Sequence, residues 1–120
     1  AGVDVSGHRS RRVDAAVARA ADLVVTAEQV HVVRLCEDDD ELFARTFTLP
    51  ELVVRGERHG ARGSLPVGRW LRTVGHDRRV GTYLADEVPQ IDDPTGGSPA
   101  AVAAALAEIG EWCERLALLL

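Results

Sequence analysis

Length, composition and charge narrow the class of protein to a small globular domain. The 120 residues are enough for one domain and too few for two, so we expect residues 1–120 to form a single domain. The net charge of −5 argues against a nucleic-acid partner. No apolar run is long enough to span a bilayer and no secretory signal is visible, so we expect a cytoplasmic protein without a membrane partner.

The first part of the chain alternates between helical and strand patterns. Asp14 is suited to cap a short helix. Residues 22–26 (DLVVT) form a short, β-branched and nearly continuous apolar run, which is typical of a buried parallel strand. Residues 28–36 return to helical spacing. The acidic run 37–41 is interpreted as a solvated helix end or loop, because like charges this close repel each other.

The middle of the chain contains a second strand and two shorter helical pieces. Residues 45–49 alternate and are rich in strand formers, and Pro50 ends this run. A short helix is predicted from residues 51–55. A loop-rich segment, 56–89, follows and is interrupted by a helical piece around 69–72, where Trp70 is expected to anchor packing.

The end of the chain has the clearest helical pattern. Ser98 is a good N-cap residue, and Pro99 suits the first turn of a helix. Apolar residues then recur every three or four positions. We therefore expect a long helix with one buried face, made of Val102, Leu106, Ile109, Cys113, Leu116 and Leu120.

Strands that alternate with helices predict an α/β fold, a parallel sheet with helices on both faces. Only two strands are evident, and a two-stranded parallel sheet would leave apolar surface exposed. We therefore expect that part of the sheet is missing from this chain, or that a partner supplies it.

Five segments, in this order, resemble the low-molecular-weight protein-tyrosine-phosphatase family. Residues 7–13 (GHRSRRV) are similar to its G-H-x-[AS]-R segment, and residues 21–26 (ADLVVT) to its third strand. His31 stands where the next helix of the family often carries His. Residues 46–52 (TFTLPEL) resemble the fourth strand and its exit, and residues 92–94 (DDP) resemble the Asp-Pro loop that precedes the last helix.

This resemblance implies a Rossmann-like, three-layer fold, a parallel sheet between helices. The Arg- and Gly-rich insertion around Trp70 is similar to that of actinobacterial members. The family's first strand ends in a C-x5-R-S/T loop, whose backbone N–H groups bind phosphate at a helix N-terminus. No counterpart of that loop is present, so we expect an incomplete domain whose first strands and phosphate loop lie upstream of Ala1.

The two cysteines do not replace the missing nucleophile. Cys36 is followed by acidic residues, which would repel phosphate and raise the pKa of the thiol. Cys113 lies in the apolar stripe of the last helix. Neither is followed six residues later by Arg, so we interpret both as structural core thiols.

By the resemblance, the complete enzyme would hydrolyse phosphotyrosine monoesters through a cysteinyl-phosphate intermediate, with Asp93 as the general acid. Asp92 and Thr95 would lie at the substrate, Asp92 as a rim charge. Many members carry an aromatic residue where Thr95 stands, which leaves the preference for phosphotyrosine open. The residues alone also allow the loop to be no more than a turn before the last helix.

The implied partners are a phosphotyrosine-containing protein or a small phosphomonoester, and no cofactor or metal is expected. His31, His59 and His76 are not spaced as a metal site. One alternative is a non-catalytic binding or dimerisation module, in which a homodimer completes the sheet. The other is an arsenate reductase, which shares the fold but needs further redox cysteines after the third strand.

Overall fold

Two short parallel strands form the sheet. A computed structural model describes residues 21–37, 39–92 and 97–120, so the predicted helix after Asp14 lies outside the described residues. Strand β1 (Val24–Thr26) pairs in parallel with β2 (Thr46–Thr48), so that Val25 lies opposite Phe47. Both strands lie within the predicted runs, and the chain is a compact α/β domain, as the alternation of patterns indicated.

Two helices connect the strands. Helix α1 (Gln29–Cys36) matches the predicted helical segment. The acidic run leads into a second, four-residue helix, α2 (Asp40–Phe43). The Asp39 side chain accepts a hydrogen bond from the Leu42 amide at 3.0 Å and so caps this helix. Acidic residues at a helix N-terminus are favoured by the helix dipole, which gives this part of the run a structural role.

The segment after β2 is more helical than the sequence indicated. Helix α3 (Leu49–His59) begins directly after the strand, with Thr48 as its N-cap and Pro50 in its first turn. Pro50 therefore ends the strand by starting a helix, since it lacks an N–H that the first turn would leave unbonded. Helix α4 (Val67–Val74) extends beyond the predicted piece on both sides, and a 3-10 turn follows at Tyr83–Ala85.

Helix α5 (Pro99–Leu119) begins as predicted, because the Ser98 hydroxyl accepts a hydrogen bond from the Ala101 amide at 3.1 Å. Its buried face was predicted only in part. Ile109 and Leu116 pack against the core, together with Trp112 and Leu119. The other predicted members are exposed, and these are Val102, Leu106, Cys113 and Leu120. Residues 99–108 are exposed apart from the half-buried Ala105, and in the second half of the helix the inward face lies about one residue from the predicted one. Within the described residues, no helix is long and apolar enough to cross a membrane.

The core consists of two clusters of buried side chains. The larger lies around α3, α4 and the end of α5, and the smaller around α1 and α2. Trp70 is 2% exposed and donates to the Gly60 carbonyl at 3.0 Å, which confirms its predicted role as a packing anchor. Members of the larger cluster are Phe47, Leu49, Leu52, Val53, Trp70, Leu71, Val74, Ile91 and Leu119. Members of the smaller are Val32, Cys36, Leu42, Phe43 and Tyr83.

Helix α5 approaches α3 closely at Gly56. A Cβ atom at this position would lie 2.8 Å from Cδ1 of Leu119 and 3.0 Å from the Trp70 ring. The absence of a side chain at Gly56 therefore allows the end of α5 to rest on α3, beside the buried Trp70.

A buried ion pair joins the helices to the sheet. The side chains of Arg78 and Glu51 are 2% and 3% exposed, and Arg78 Nε lies 3.1 Å from Glu51 Oε2. The other carboxylate oxygen of Glu51 accepts a 2.6 Å hydrogen bond from the Tyr83 hydroxyl. The terminal nitrogens of Arg78 donate to the Phe43 carbonyl at 2.9 Å and to the Thr46 carbonyl at 2.7 Å.

Aromatic rings surround the guanidinium of Arg78. Its central carbon lies 3.9 Å from the Phe47 ring centroid and 4.1 Å from that of Phe43. The Phe43 and Tyr83 rings meet edge to face at 5.2 Å. A desolvated cation is stabilised by aromatic faces, so these rings offset part of the cost of burying the charge.

We expect Glu51→Gln to lower the free energy of unfolding by about 3 to 5 kcal/mol, because it leaves the buried Arg78 charge uncompensated. Urea unfolding followed by circular dichroism measures this loss. Glu57→Gln is the matched control, since Glu57 pairs with Arg115 at the exposed surface and should lose much less. Equal losses in the two variants would contradict a central role for the buried pair.

The pKa of Tyr83 predicts how stability changes in alkali. Burial, and then the hydrogen bond to Glu51, raise the pKa of Tyr83 well above its ordinary value. The unfolded chain releases this proton near pH 10 and the folded chain does not. Above about pH 10 the free energy of unfolding should therefore fall, by up to about 1.4 kcal/mol per pH unit from this group.

Tyr83 is the single tyrosine of the chain, so tyrosinate absorbance reports on it alone. During an alkaline titration, this absorbance should rise together with the loss of the far-ultraviolet circular dichroism signal. Tyrosinate that forms near pH 10 in a chain with native circular dichroism would show that the hydroxyl is not buried as described.

Candidate functional site

The segment 86–92 lies against the carboxyl ends of both strands. The Ile91 amide donates to the Ala27 carbonyl, just after β1, at 2.8 Å. The Thr48 hydroxyl, at the end of β2, donates to the Pro89 carbonyl at 2.5 Å. In open α/β sheets, ligands bind outside the carboxyl ends of the parallel strands. This strand-end face, with segment 86–92 tethered to it, is therefore the candidate functional site.

Gln29 fixes the start of this segment. Its side chain is 9% exposed, and its amide nitrogen donates to the carbonyls of Tyr83 at 2.6 Å and Asp86 at 3.2 Å. The backbone N–H of Gln29, in the first turn of α1, donates to the Gln90 side chain at 2.8 Å. Sequence reasoning missed both glutamines, because nothing in their local pattern indicates contacts with residues about sixty positions away.

Of the predicted site residues, Asp92 is exposed and follows the buried Ile91, whose amide is tied to the sheet. The tether thus brings Asp92 to the strand-end face. Asp93 and Thr95 lie outside the described residues, so their roles as general acid and substrate contact stay predictions.

The two cysteines lie in different environments, and only Cys36 is buried. The Cys36 side chain is fully buried, and burial raises the pKa of its thiol more than its other contacts change it. Asp39 contributes a smaller rise, so the predicted effect of the acidic run is secondary, while a hydrogen bond with Thr46 and the charge of Arg78 act in the opposite direction. A buried, protonated thiol is a poor nucleophile.

Cys113 was expected to be a core thiol, and this prediction was wrong. The side chain is exposed on α5, because Trp112 and Leu116 form the inward face of that helix.

Among the described residues, no three His, Cys, Asp or Glu side chains are grouped so that they could hold a metal ion.

Thr48 links the strand-end face to α3, since its hydroxyl oxygen also accepts a hydrogen bond from the Glu51 amide at 3.1 Å. We expect Thr48→Val to lower the free energy of unfolding by about 1 to 2 kcal/mol through loss of the N-cap. The amide of Ile91 should also exchange with solvent faster, because the Thr48 tether to Pro89 is lost. Hydrogen exchange by NMR measures this change.

Thr48→Ser is the matched variant, because it keeps the hydroxyl group. Ile91 should remain protected in this variant. If Ile91 exchanges at the same rate in Thr48→Val as in the unchanged chain, the hydroxyl does not hold segment 86–92 in place.

Comparisons with protein-family models, with curated proteins and with solved structures found no match to this chain.

Proposed function

We propose that this chain belongs to a phosphomonoesterase of the low-molecular-weight protein-tyrosine-phosphatase type. The observation that carries the proposal is the acidic segment 86–92, which is tethered at the carboxyl ends of two parallel strands. The Ile91 amide donates a hydrogen bond to the Ala27 carbonyl there. The motif that resembles the family's Asp-Pro loop, residues 92–94, continues directly from this segment. The complete enzyme would hydrolyse phosphotyrosine monoesters.

We also propose that the complete domain has a three-layer fold, with a parallel sheet between helices. Further parallel strands, supplied from upstream of this chain, would extend the sheet, and helices would cover both of its faces. Two observations support it. Val25, at the centre of β1, is 43% exposed, although central residues of parallel strands are usually buried on both faces. The sheet also contributes to both core clusters, as a sheet between two layers of helices does. Phe47 belongs to the larger cluster, and Val24 packs against the smaller.

The proposed reaction has two steps. A cysteine thiolate on a phosphate loop of the family's C-x5-R-S/T type would attack phosphorus, the bond to the phenolic oxygen would break, and Asp93 would give its proton to that oxygen. Asp93 then accepts a proton from the water that attacks the cysteinyl-phosphate, which releases inorganic phosphate and restores the thiolate. Asp92 and Thr95 would contact the rim of the substrate.

The test uses the product of the complete reading frame and a series of aryl phosphates. Asp93→Asn should lower kcat by about 10² to 10⁴ for phenols of ordinary basicity, because the leaving oxygen no longer receives a proton. The loss should shrink for nitrophenyl phosphate, whose leaving group needs no proton. This dependence on the leaving group is not expected from a residue that only maintains the loop.

Asp92→Asn is the matched control, since it removes the neighbouring carboxylate and should change kcat little. If Asp92→Asn shows the larger loss and the dependence on the leaving group, the assignment of Asp93 is wrong. If the unchanged protein hydrolyses no phosphomonoester, the enzyme proposal fails. The alternative of a non-catalytic binding or dimerisation module would then lead.

A further inference from the structure

Positive charge is concentrated in residues 51–80 of a chain that is acidic as a whole. This stretch contains seven of the 14 arginines and only three of the 19 acidic residues. Arg55 and Arg78 are neutralised within it by Glu51 and Asp77. The remaining arginines of the stretch leave α3, α4 and the loops beside them with an excess of positive charge.

A shallow surface cavity of about 540 Å³ lies at the C-terminal end of α3 and along α4. None of the residues that line it is acidic. The lining residues, called the basic cavity below, are His59, Arg69, Arg72, Thr73 and His76.

Arg69 and Arg72 are three residues apart on α4, so their side chains share one face of the helix. Within the part of the chain that the structure describes, neither guanidinium has a carboxylate within ion-pairing distance. Like charges one turn apart destabilise a helix slightly, so folding alone does not favour this pair. Both side chains are exposed and can contact a ligand.

The two histidines that line the cavity are in contact with each other. The rings of His59 and His76 meet edge to face, with centroids 5.6 Å apart. Nδ1 of His76 lies 3.1 Å from the Thr73 carbonyl, so this nitrogen carries a proton and donates it. Nε2 of His76 can therefore donate to a ligand only when the ring is cationic, and a cationic pair would attract an anion.

The charged groups around the histidines are favourable to an anion. Arg69 and Arg72 of α4 contribute two positive charges. Asp77 follows His76, but its carboxylate is held by Arg55 of α3 at 2.5 Å, and this hydrogen bond is the main cause that lowers the pKa of Asp77. The nearby negative charge is thus already paired.

A neighbouring cavity of about 610 Å³ is unsuitable for an anion, although Arg72 also lines it. Asp40 and Glu41 contribute negative charge to it, beside Arg45. The contrast between the two cavities places the anion-attracting surface on the side of Arg69 and the histidines.

We propose that the basic cavity binds a tetrahedral dianion of the phosphate class, with Arg69 and Arg72 as the principal hydrogen-bond donors. The guanidinium group matches such an oxyanion with two parallel N–H donors, and the imidazole rings of His59 and His76 add polar nitrogens to the same cavity. This site is distinct from the strand-end face. Helix α3 has 11 residues, and its two ends are therefore about 16 Å apart, with Thr48 before one end and His59 at the other.

The test is a titration with sodium sulfate at constant ionic strength, using the product of the complete reading frame. Sulfate is a tetrahedral dianion at neutral pH and stands in for the phosphate class. The side-chain NMR signals of Arg69, Arg72, His59 and His76 should shift together along one saturable curve.

Arg69→Gln combined with Arg72→Gln should weaken sulfate binding at these histidine signals by about tenfold or more. Arg34→Gln combined with Arg79→Gln is the matched control, because it removes two exposed arginines that do not line the cavity. The control should change the affinity by less than about twofold, since neither arginine lines the cavity and salt screens charges that do not contact the ligand.

Two outcomes would overturn the proposal. In the first, the histidine signals do not shift, or shift without saturation. In the second, the control variant weakens binding as much as the cavity variant, which would mean that sulfate responds only to the overall charge. Both readouts are local to His59 and His76, so they are independent of whether the protein hydrolyses phosphomonoesters.

Discussion

The buried contact between Arg78 and Glu51 is the constraint on which the rest of the fold depends. Neither charge reaches water, so each must be satisfied by groups that the fold brings to it. Arg78 meets this need with the carbonyls of Phe43 and Thr46, and Glu51 with the hydroxyl of Tyr83. One guanidinium therefore joins the loop after α4, the N-terminal part of α3, the end of α2 and strand β2.

A chain of hydrogen bonds connects this buried pair to the candidate site. The Tyr83 hydroxyl donates a hydrogen bond to Glu51. The Tyr83 carbonyl accepts a hydrogen bond from the Gln29 side chain, which also donates to the Asp86 carbonyl at the start of segment 86–92. Thr48 then caps α3 at Glu51 and holds Pro89 on the strand ends. Because the same hydrogen bonds stabilise the core and place the segment, substitutions in this network should couple stability to the geometry of the strand-end face.

The parts of the fold that follow a local pattern could be predicted, and the parts that depend on distant contacts could not. Both strands and the start of α5 at Ser98 followed from apolar runs and capping residues. The pair of Arg78 and Glu51 could not be predicted, since nothing local marks which of 14 arginines and 19 acidic residues become buried.

The face of α5 was misassigned for a related reason. Leucine, isoleucine, alanine and tryptophan supply more than one apolar stripe along this helix, and local periodicity does not choose between them. Contact with Gly56 and Trp70 of the larger core cluster selects the stripe that ends at Leu119. Residues of the candidate site divide in the same way. The sequence motif singled out Asp92, which the structure places at the strand-end face, while Asp93 stays a prediction. Gln29 and Gln90 acquire a role only through the fold.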